Sequence, residues 1–173
     1  MFQIVEHLIL EKYSKELKVG SQQFGYKKRL GTELGVFALK SIVSHYNNNN
    51  TTVYACFLDA SKAFDNVLHE KLCLKLCKRR IPMLVVKLFY VWCKTQRFRI
   101  SWNGCESREF AIHKSVRQGG VLSPYLFNLY MNDLGVKLFA SRIGCHIGHV
   151  ATNNIWMLMI CACLLHLSML CRI

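Results

Sequence analysis

Acidic residues are scarce in this sequence. Ten Asp and Glu stand against 23 Lys and Arg, and after Asp133 no carboxylate side chain occurs. The shortage is uneven: from Lys71 to Arg99 there are nine Lys or Arg and no acid. A solvated helix face accounts for a short basic run. One kept up for about thirty residues points to an anionic partner, nucleic acid ahead of anionic lipid. A bilayer-spanning run is also missing. The most apolar stretch, "IWMLMICACLLHLSML" from Ile155 to Leu170, has sixteen residues, short of the roughly 20 that cross a membrane. It reads as a buried segment or an aberrant tail, and no membrane partner is expected. The N-terminal "MFQIVEHLIL" is broken by Glu6 and His7 and lacks the form of a signal peptide. The nine cysteines are odd in number and have no framework spacing, which excludes a secreted disulfide scaffold. Cys145, His146, His149, Cys161, Cys163 and His166 are of zinc-ligand type, but neither their adjacency nor a single Cys-x-Cys is structural-site spacing. Mostly buried thiols in a reducing, intracellular compartment are expected. No internal repeat occurs.

What is present suits one domain with a real core, since half of the 173 residues are apolar. Residues 1–20 are expected to form an amphipathic helix, with Phe2, Val5, Leu8, Ile9 and Tyr13 on its apolar side. "VGSQQFGYKKRLGTE" is a basic, Gly-punctuated loop ending in Thr32 as a helix cap. The helix that follows, 33–46, turns Val36, Phe37, Leu39, Ile42 and Val43 inward. "TVYACFLDA" reads as a buried strand ending near Asp59. Residues 61–80 return to helical spacing through Phe64, Val67, Leu68, Leu72 and Leu76, until Ile81-Pro82 breaks it. A helix over 83–94, a hairpin at Asn103-Gly104, a helix begun by Ser123-Pro124 and a strand or hairpin at "RIGCHIGHV" complete the series. The order predicts an α+β domain, helices packed on an antiparallel sheet.

Two stretches carry chemistry. In "FLDASKAFD" an apolar strand delivers Asp59 at its end. Taken alone, Asp59 or Ser61 is first a helix cap; the functional alternative is a carboxylate on a rigid strand, holding Mg²⁺ among hard oxygen ligands. Phe64 fills the core or walls a sugar site. In "VRQGGVLSP", Gly119 and Gly120 let the backbone approach a ligand just ahead of a helix N-terminus. A tight turn explains the glycines without needing Arg117 and Gln118 beside them.

Together, "FLDASKAFDNVLHEKL" and, some fifty residues on, "VRQGGVLSPYLFNLYMNDL" resemble the palm of a reverse transcriptase of the non-LTR (LINE-type) retrotransposon class. "QFGYKKRLGTE" resembles the upstream fingers motif and "IGCHIG" the strand before the catalytic hairpin. The resemblance implies a partial right-hand polymerase, fingers and palm, over residues 1–154. It implies an RNA template, a DNA primer and dNTP as partners, two Mg²⁺ ions as cofactor, and a cytoplasmic or nuclear location; no specific protein partner is implied. Asp59 matches the first metal-binding aspartate. Phe64 matches the gate that excludes a 2′-OH. Arg117, Gln118, Gly119 and Gly120 match the loop on nucleotide and template. Lys27, Lys28 and Arg29 fall in the basic motif near triphosphate or template, where the family usually has glycine at the position of Arg29.

The family's hairpin motif, usually Tyr-Ala-Asp-Asp, should follow "GCHIG" after a short spacer. Trp156-Met157-Leu158-Met159-Ile160 stands there instead. If Leu158 is encoded by CTG, the bases read ATG-CTG-ATG-AT, and a one-base shift gives GCT-GAT-GAT, Ala-Asp-Asp. Residues 155–173 are therefore expected to be an out-of-frame remnant of that hairpin. The chain is expected to be a fragment that does not catalyse, the alternative function being a noncatalytic nucleic-acid-binding remnant.

Overall fold

The computed structural model describes residues 2–27, 30–141, 143–157 and 160–166. Among them are five α-helices and short antiparallel strand pairs, an α+β fold as expected. The chain divides into two compact units, Met1–Lys18 with Lys62–Tyr130 and Val19–Ser61 with Met131–Ile173.

In the first unit, α1 is shorter than its periodicity predicts, Phe2–Lys12, with a turn from 13 to 17. Its inward side also differs. Leu8 and Ile4 face solvent, while Glu6 is 2% exposed. The stretch 61–80 is not one helix: a turn with Lys62 at φ 49° leads to a 3-10 turn, Phe64–Asn66, and Leu68 bridges to Lys114. Only then does α3 run, His69–Lys78, burying Leu72 and Leu76. The apolar spacing is obeyed, but Val67 reaches the core from extended backbone. α4 is Met83–Thr95, with Pro82 as its N-cap residue. Ile9, Leu17, Leu76, Val86, Phe89 and Leu126 converge on one apolar centre.

Beyond α4, β2 (Arg97–Phe98) pairs with β5 (Phe110–Ala111), and β3 (Ser101–Trp102) pairs with β4 (Cys105–Glu106). The β3–β4 turn is Asn103-Gly104 with φ 48° and 78°, the two positive values that a two-residue hairpin turn requires. α5, Ser123–Ala140, is buried all round its first two turns and spans the division between the units. Ser123 is its first residue, and its hydroxyl donates to the Arg117 carbonyl at 2.5 Å.

In the second unit, α2 runs Thr32–Asn48. Gly31, not Thr32, is its N-cap, with no side-chain cap bond. Gly35, Ile42 and Tyr46 turn inward, whereas Val36 and Phe37, read from sequence as core, lie exposed. The sheet has the order β1-β9-β8, all antiparallel, with β1 Val53–Asp59, β8 Asn154–Met157 and β9 Ile160–His166. A small hairpin, β6 (His146–Ile147) with β7 (Val150–Ala151), precedes it. Ile42, Tyr46, Cys145, Ile155, Ala162 and Leu164 form the core.

β1 is not the buried strand that its composition suggests. It lies at the sheet edge, and Tyr54, Phe57 and Leu58 are exposed; Val53 is the β1 residue that joins the core. The apolar residues that follow Asn153 do the burying instead. Trp156 sits against Gly135, its indole N–H donating to Asn154 Oδ1 at 3.1 Å. Main-chain bonds from Phe24 N–H to Trp156 O and from Trp156 N–H to Gln22 O, both 2.8 Å, tie the 22–24 loop to β8.

Candidate active site

Asp59 is the last residue of β1 and is exposed to solvent. Strand direction brings it there: β1 starts in the core at Val53 and runs outward along the edge. Directly across the ladder from Asp59 is Ile160, and Leu58 faces Cys161. Opposite residues of an antiparallel pair have Cβ atoms about 5 Å apart. Ile160 is thus the side chain directly across the ladder from Asp59, and it offers no oxygen. A hairpin does follow "GCHIG" in the chain, and its strands flank Leu158 and Met159, which lie outside the described residues. The described β8 and β9 residues are Asn, Ile, Trp, Met, Cys, Ala, Leu and His, with no acid.

A divalent metal pair does not fit this donor set. Among the described residues no group of three or more His, Cys, Asp or Glu side chains could hold a metal ion. The one buried thiol beside the pairing of Asp59 with Ile160, Cys161, is held protonated. Burial, with the neighbouring Cys163 and Cys56 thiols adding to it, pushes Cys161 up to about 12. Cys161 and Cys163 sulfurs stand 3.6 Å apart. The thiolate is the metal ligand, so the neutral buried thiol of Cys161 makes a weak one.

Lys27 belongs to the same unit as Asp59. Its ammonium donates to the Gly20 carbonyl, and burial lowers its pKa from the ordinary lysine value. Gly20 N–H in turn donates to Asn132 Oδ1 at 3.1 Å. The basic loop is therefore anchored from within, with Lys27 facing its own main chain. Lys28 and Arg29 lie outside the described residues.

Phe64 and the Gly-Gly loop belong to the other unit. Phe64 is half-buried, its ring 5.1 Å from that of Phe127, and its carbonyl accepts the Val116 N–H at 2.9 Å. That bond joins the 3-10 turn to the start of the loop. Gln118 Nε2 donates to Asp65 Oδ1 at 3.3 Å, a second tie between the two motifs. Arg117, Gln118 and Gly119 are all exposed. Gly119 has φ +79°, a conformation that favours glycine, with open space where a Cβ would stand. At Gly120 a Cβ would come within 2.6 Å of Ser123 Oγ and 3.2 Å of both the Arg117 carbonyl and Glu6 Oε1, so the loop backbone is packed on its inner side.

Two residues of this unit were missed in the sequence. Glu6 lies 115 positions from Val121 yet accepts its N–H at 2.6 Å. Its one sequence signal is that it breaks an apolar helix side. His69, buried at the start of α3, has Nε2 2.7 Å from the Ser115 carbonyl oxygen; nothing in the local sequence marks it.

The family described as reverse transcriptase (RNA-dependent DNA polymerase) matches residues 2–149, a span that ends before β8. Among curated relatives, the RNA-directed DNA polymerase from mobile element jockey of Drosophila funebris is 28% identical over 135 residues, 76% of this chain and 15% of that protein. The Retrovirus-related Pol polyprotein from type-2 retrotransposable element R2DM of Drosophila melanogaster is 31% identical over 112 residues, 65% of this chain and 10% of its own length. The type-1 element R2 polyprotein of Popillia japonica is 26% identical over 135 residues, 76% of this chain and 19% of its own. The chain thus spans a fifth or less of each of these relatives.

Proposed function

The chain belongs to the reverse transcriptase (RNA-dependent DNA polymerase) family, with relatives from non-LTR retrotransposons, and we propose that it binds template and primer as part of a polymerase palm without extending them. Reverse transcriptases use a divalent metal and work on an RNA template with a DNA primer. In this reading the metal of the family's reaction is Mg²⁺, which the described donors of this chain do not hold as a pair; the nucleotide is a dNTP, Phe64 is the wall against a 2′-OH, and Arg117 to Gly120 contact nucleotide and template. Lys27, Lys28 and Arg29 belong to the triphosphate and template side.

The observation that carries the noncatalytic half is the pairing of Asp59 with Ile160 in a sheet whose described β8 and β9 residues include no acid. The binding half rests on charge. Lys71, Lys78, Arg80, Lys87 and Arg97 are exposed on and around α3 and α4. Phosphate contacts by about five such cations give a slope near −4.5 in log affinity against log salt, a loss of roughly 10²–10³ between 50 and 200 mM. Fluorescence anisotropy with an RNA–DNA primer–template measures this slope. A flat salt response, or no binding at low salt, refutes the reading.

We also propose that residues 1–154 are the reverse transcriptase part and that 155–173 are translated from a shifted frame of the catalytic hairpin. The end of the family match at residue 149 supports this, as does the absence of acids after Asp133. The nucleotide sequence of codons 153–160 is expected to read Ala-Asp-Asp in a neighbouring frame that stays open downstream. A codon other than CTG at Leu158, or a stop in the shifted frame, ends this reading.

A further inference from the structure

We propose that Glu6 is a positioning residue for the Gly-Gly loop: its buried carboxylate holds the Val121 N–H and so sets the shape in which Gln118 is presented. This rests on reading the loop as a nucleotide and template contact. Glu6 lies on the inward side of α1 and is 2% exposed. A carboxylate in that place carries a large desolvation cost unless donors meet it. Among the described residues its partners are main-chain donors and not a cation: Val121 N–H at 2.6 Å and Leu122 N–H at 3.5 Å. These are the two residues ahead of α5, where the helix dipole adds positive potential. A negative charge gains from both effects at once.

The loop is fitted around this contact. Gly120 N–H and the Ser123 hydroxyl both donate to the Arg117 carbonyl, at 3.2 and 2.5 Å, closing a turn whose inner wall at Gly120 faces Glu6 Oε1. Gln118 then projects toward Asp65 on the motif that carries Phe64. The small cavity beside Glu6, also lined by His69, Trp92 and Arg117, has about 20 Å³ for a guest, the room of roughly one water. The contacts of Glu6 are with the loop, at Val121, Leu122 and the inner wall of Gly120. Without it, two amide donors lose their acceptor and the turn is free to change shape.

The test compares wild type, Glu6→Ala and Glu6→Gln in the full chain, each with and without Gln118→Ala. A glutamine oxygen can still accept the Val121 N–H; alanine cannot. Glu6→Ala is expected to weaken primer–template binding roughly tenfold, and Glu6→Gln to restore it to within about twofold. If Glu6 acts through the loop, its effect shrinks toward nothing once Gln118 is gone. The ¹⁵N amide resonance of Val121 should move in Glu6→Ala and stay near wild type in Glu6→Gln. Equal losses with and without Gln118, or an unmoved Val121 amide, overturn the proposal. Should wild type bind no nucleic acid, the proposed function fails, while the Val121 amide still decides whether Glu6 holds the loop. If Glu6→Ala does not fold, Glu6→Asp, which keeps the charge but withdraws the oxygen, is expected to shift Val121 in the same sense.

Discussion

Given a primer–template, four dNTPs and Mg²⁺, the purified chain is expected to extend no primer, with a blank the same as that of Asp59→Ala. The reason is electrostatic. Two divalent ions about 4 Å apart repel by roughly 17 kcal/mol even at an effective dielectric near 20. A palm holds such a pair by surrounding it with carboxylates. Here the cross-strand partner of Asp59 is Ile160, and the next step along the ladder pairs Leu58 with Cys161, a buried thiol that stays protonated far above neutral pH. Asp65 is not on this sheet; it belongs to the 3-10 turn and accepts from Gln118. Asp133 lies within α5 and not on the sheet. One exposed carboxylate binds Mg²⁺ weakly, since the ion gives up its water reluctantly. A gel-based extension assay reads the outcome directly. Product above the Asp59→Ala control, with either Mg²⁺ or Mn²⁺, would show that another donor completes the site.

How far the sequence reveals this depends on where the deciding interactions lie along the chain. The helix expected over 83–94 is found at Met83–Thr95, and Asn103-Gly104 makes its turn, because both are set by neighbours a few residues apart. The helix expected over 61–80 fails for a reason of the opposite kind. Leu68 is drawn into a bridge with Lys114 and Phe64 into a bond with Val116, both far along the chain; Val67 and Leu68 are held extended after the 3-10 turn, so the α-helix begins only at His69. Likewise β1 is as apolar as a central strand, but edge position is a property of the sheet, which the strand's own residues do not encode.

The candidate site divides in the same way. Asp59 at a strand end and two glycines before a helix are local facts, and both are found where the sequence puts them. The tie from Gln118 to Asp65 spans 53 positions and the one from Glu6 to Val121 spans 115. Periodicity counts apolar residues, so a carboxylate buried on an apolar helix side is read as an interruption and not as a contact.

Gly144→Ala is expected to be the most damaging single methyl group in the second unit. Gly144 has φ +108°, where side chains are strained whatever the space around them. Space is also lacking: a Cβ would stand 2.4 Å from the Leu164 carbonyl oxygen and 2.7 Å from Asn153 Cβ. Neither neighbour can yield cheaply. The Leu164 carbonyl accepts the Cys145 N–H at 3.1 Å, and the Leu164 N–H donates to the Asn153 carbonyl at 2.9 Å. Asn153 Nδ2 donates to the carbonyls of Leu138 and Ile143, at 2.8 and 2.7 Å. Moving Leu164 also moves a core side chain that is 0% exposed. Strain and overpacking together cost roughly 3–5 kcal/mol, a large part of the 5–15 kcal/mol that a domain commonly has. Gly104→Ala is the matched control, with φ +78° but open space at its Cβ, and should cost only about 1–2 kcal/mol. In urea, with a slope near 2 kcal/mol/M, Gly144→Ala should lower the midpoint by roughly 2 M and Gly104→Ala by less than about 1 M. Equal shifts would mean that backbone strain alone sets the cost and that β9 gives way freely at Leu164. The distinction matters for the site, because β9 is the strand that sets Ile160 against Asp59. If β9 is as firmly seated as these contacts require, no shift of register can bring a different side chain opposite the carboxylate.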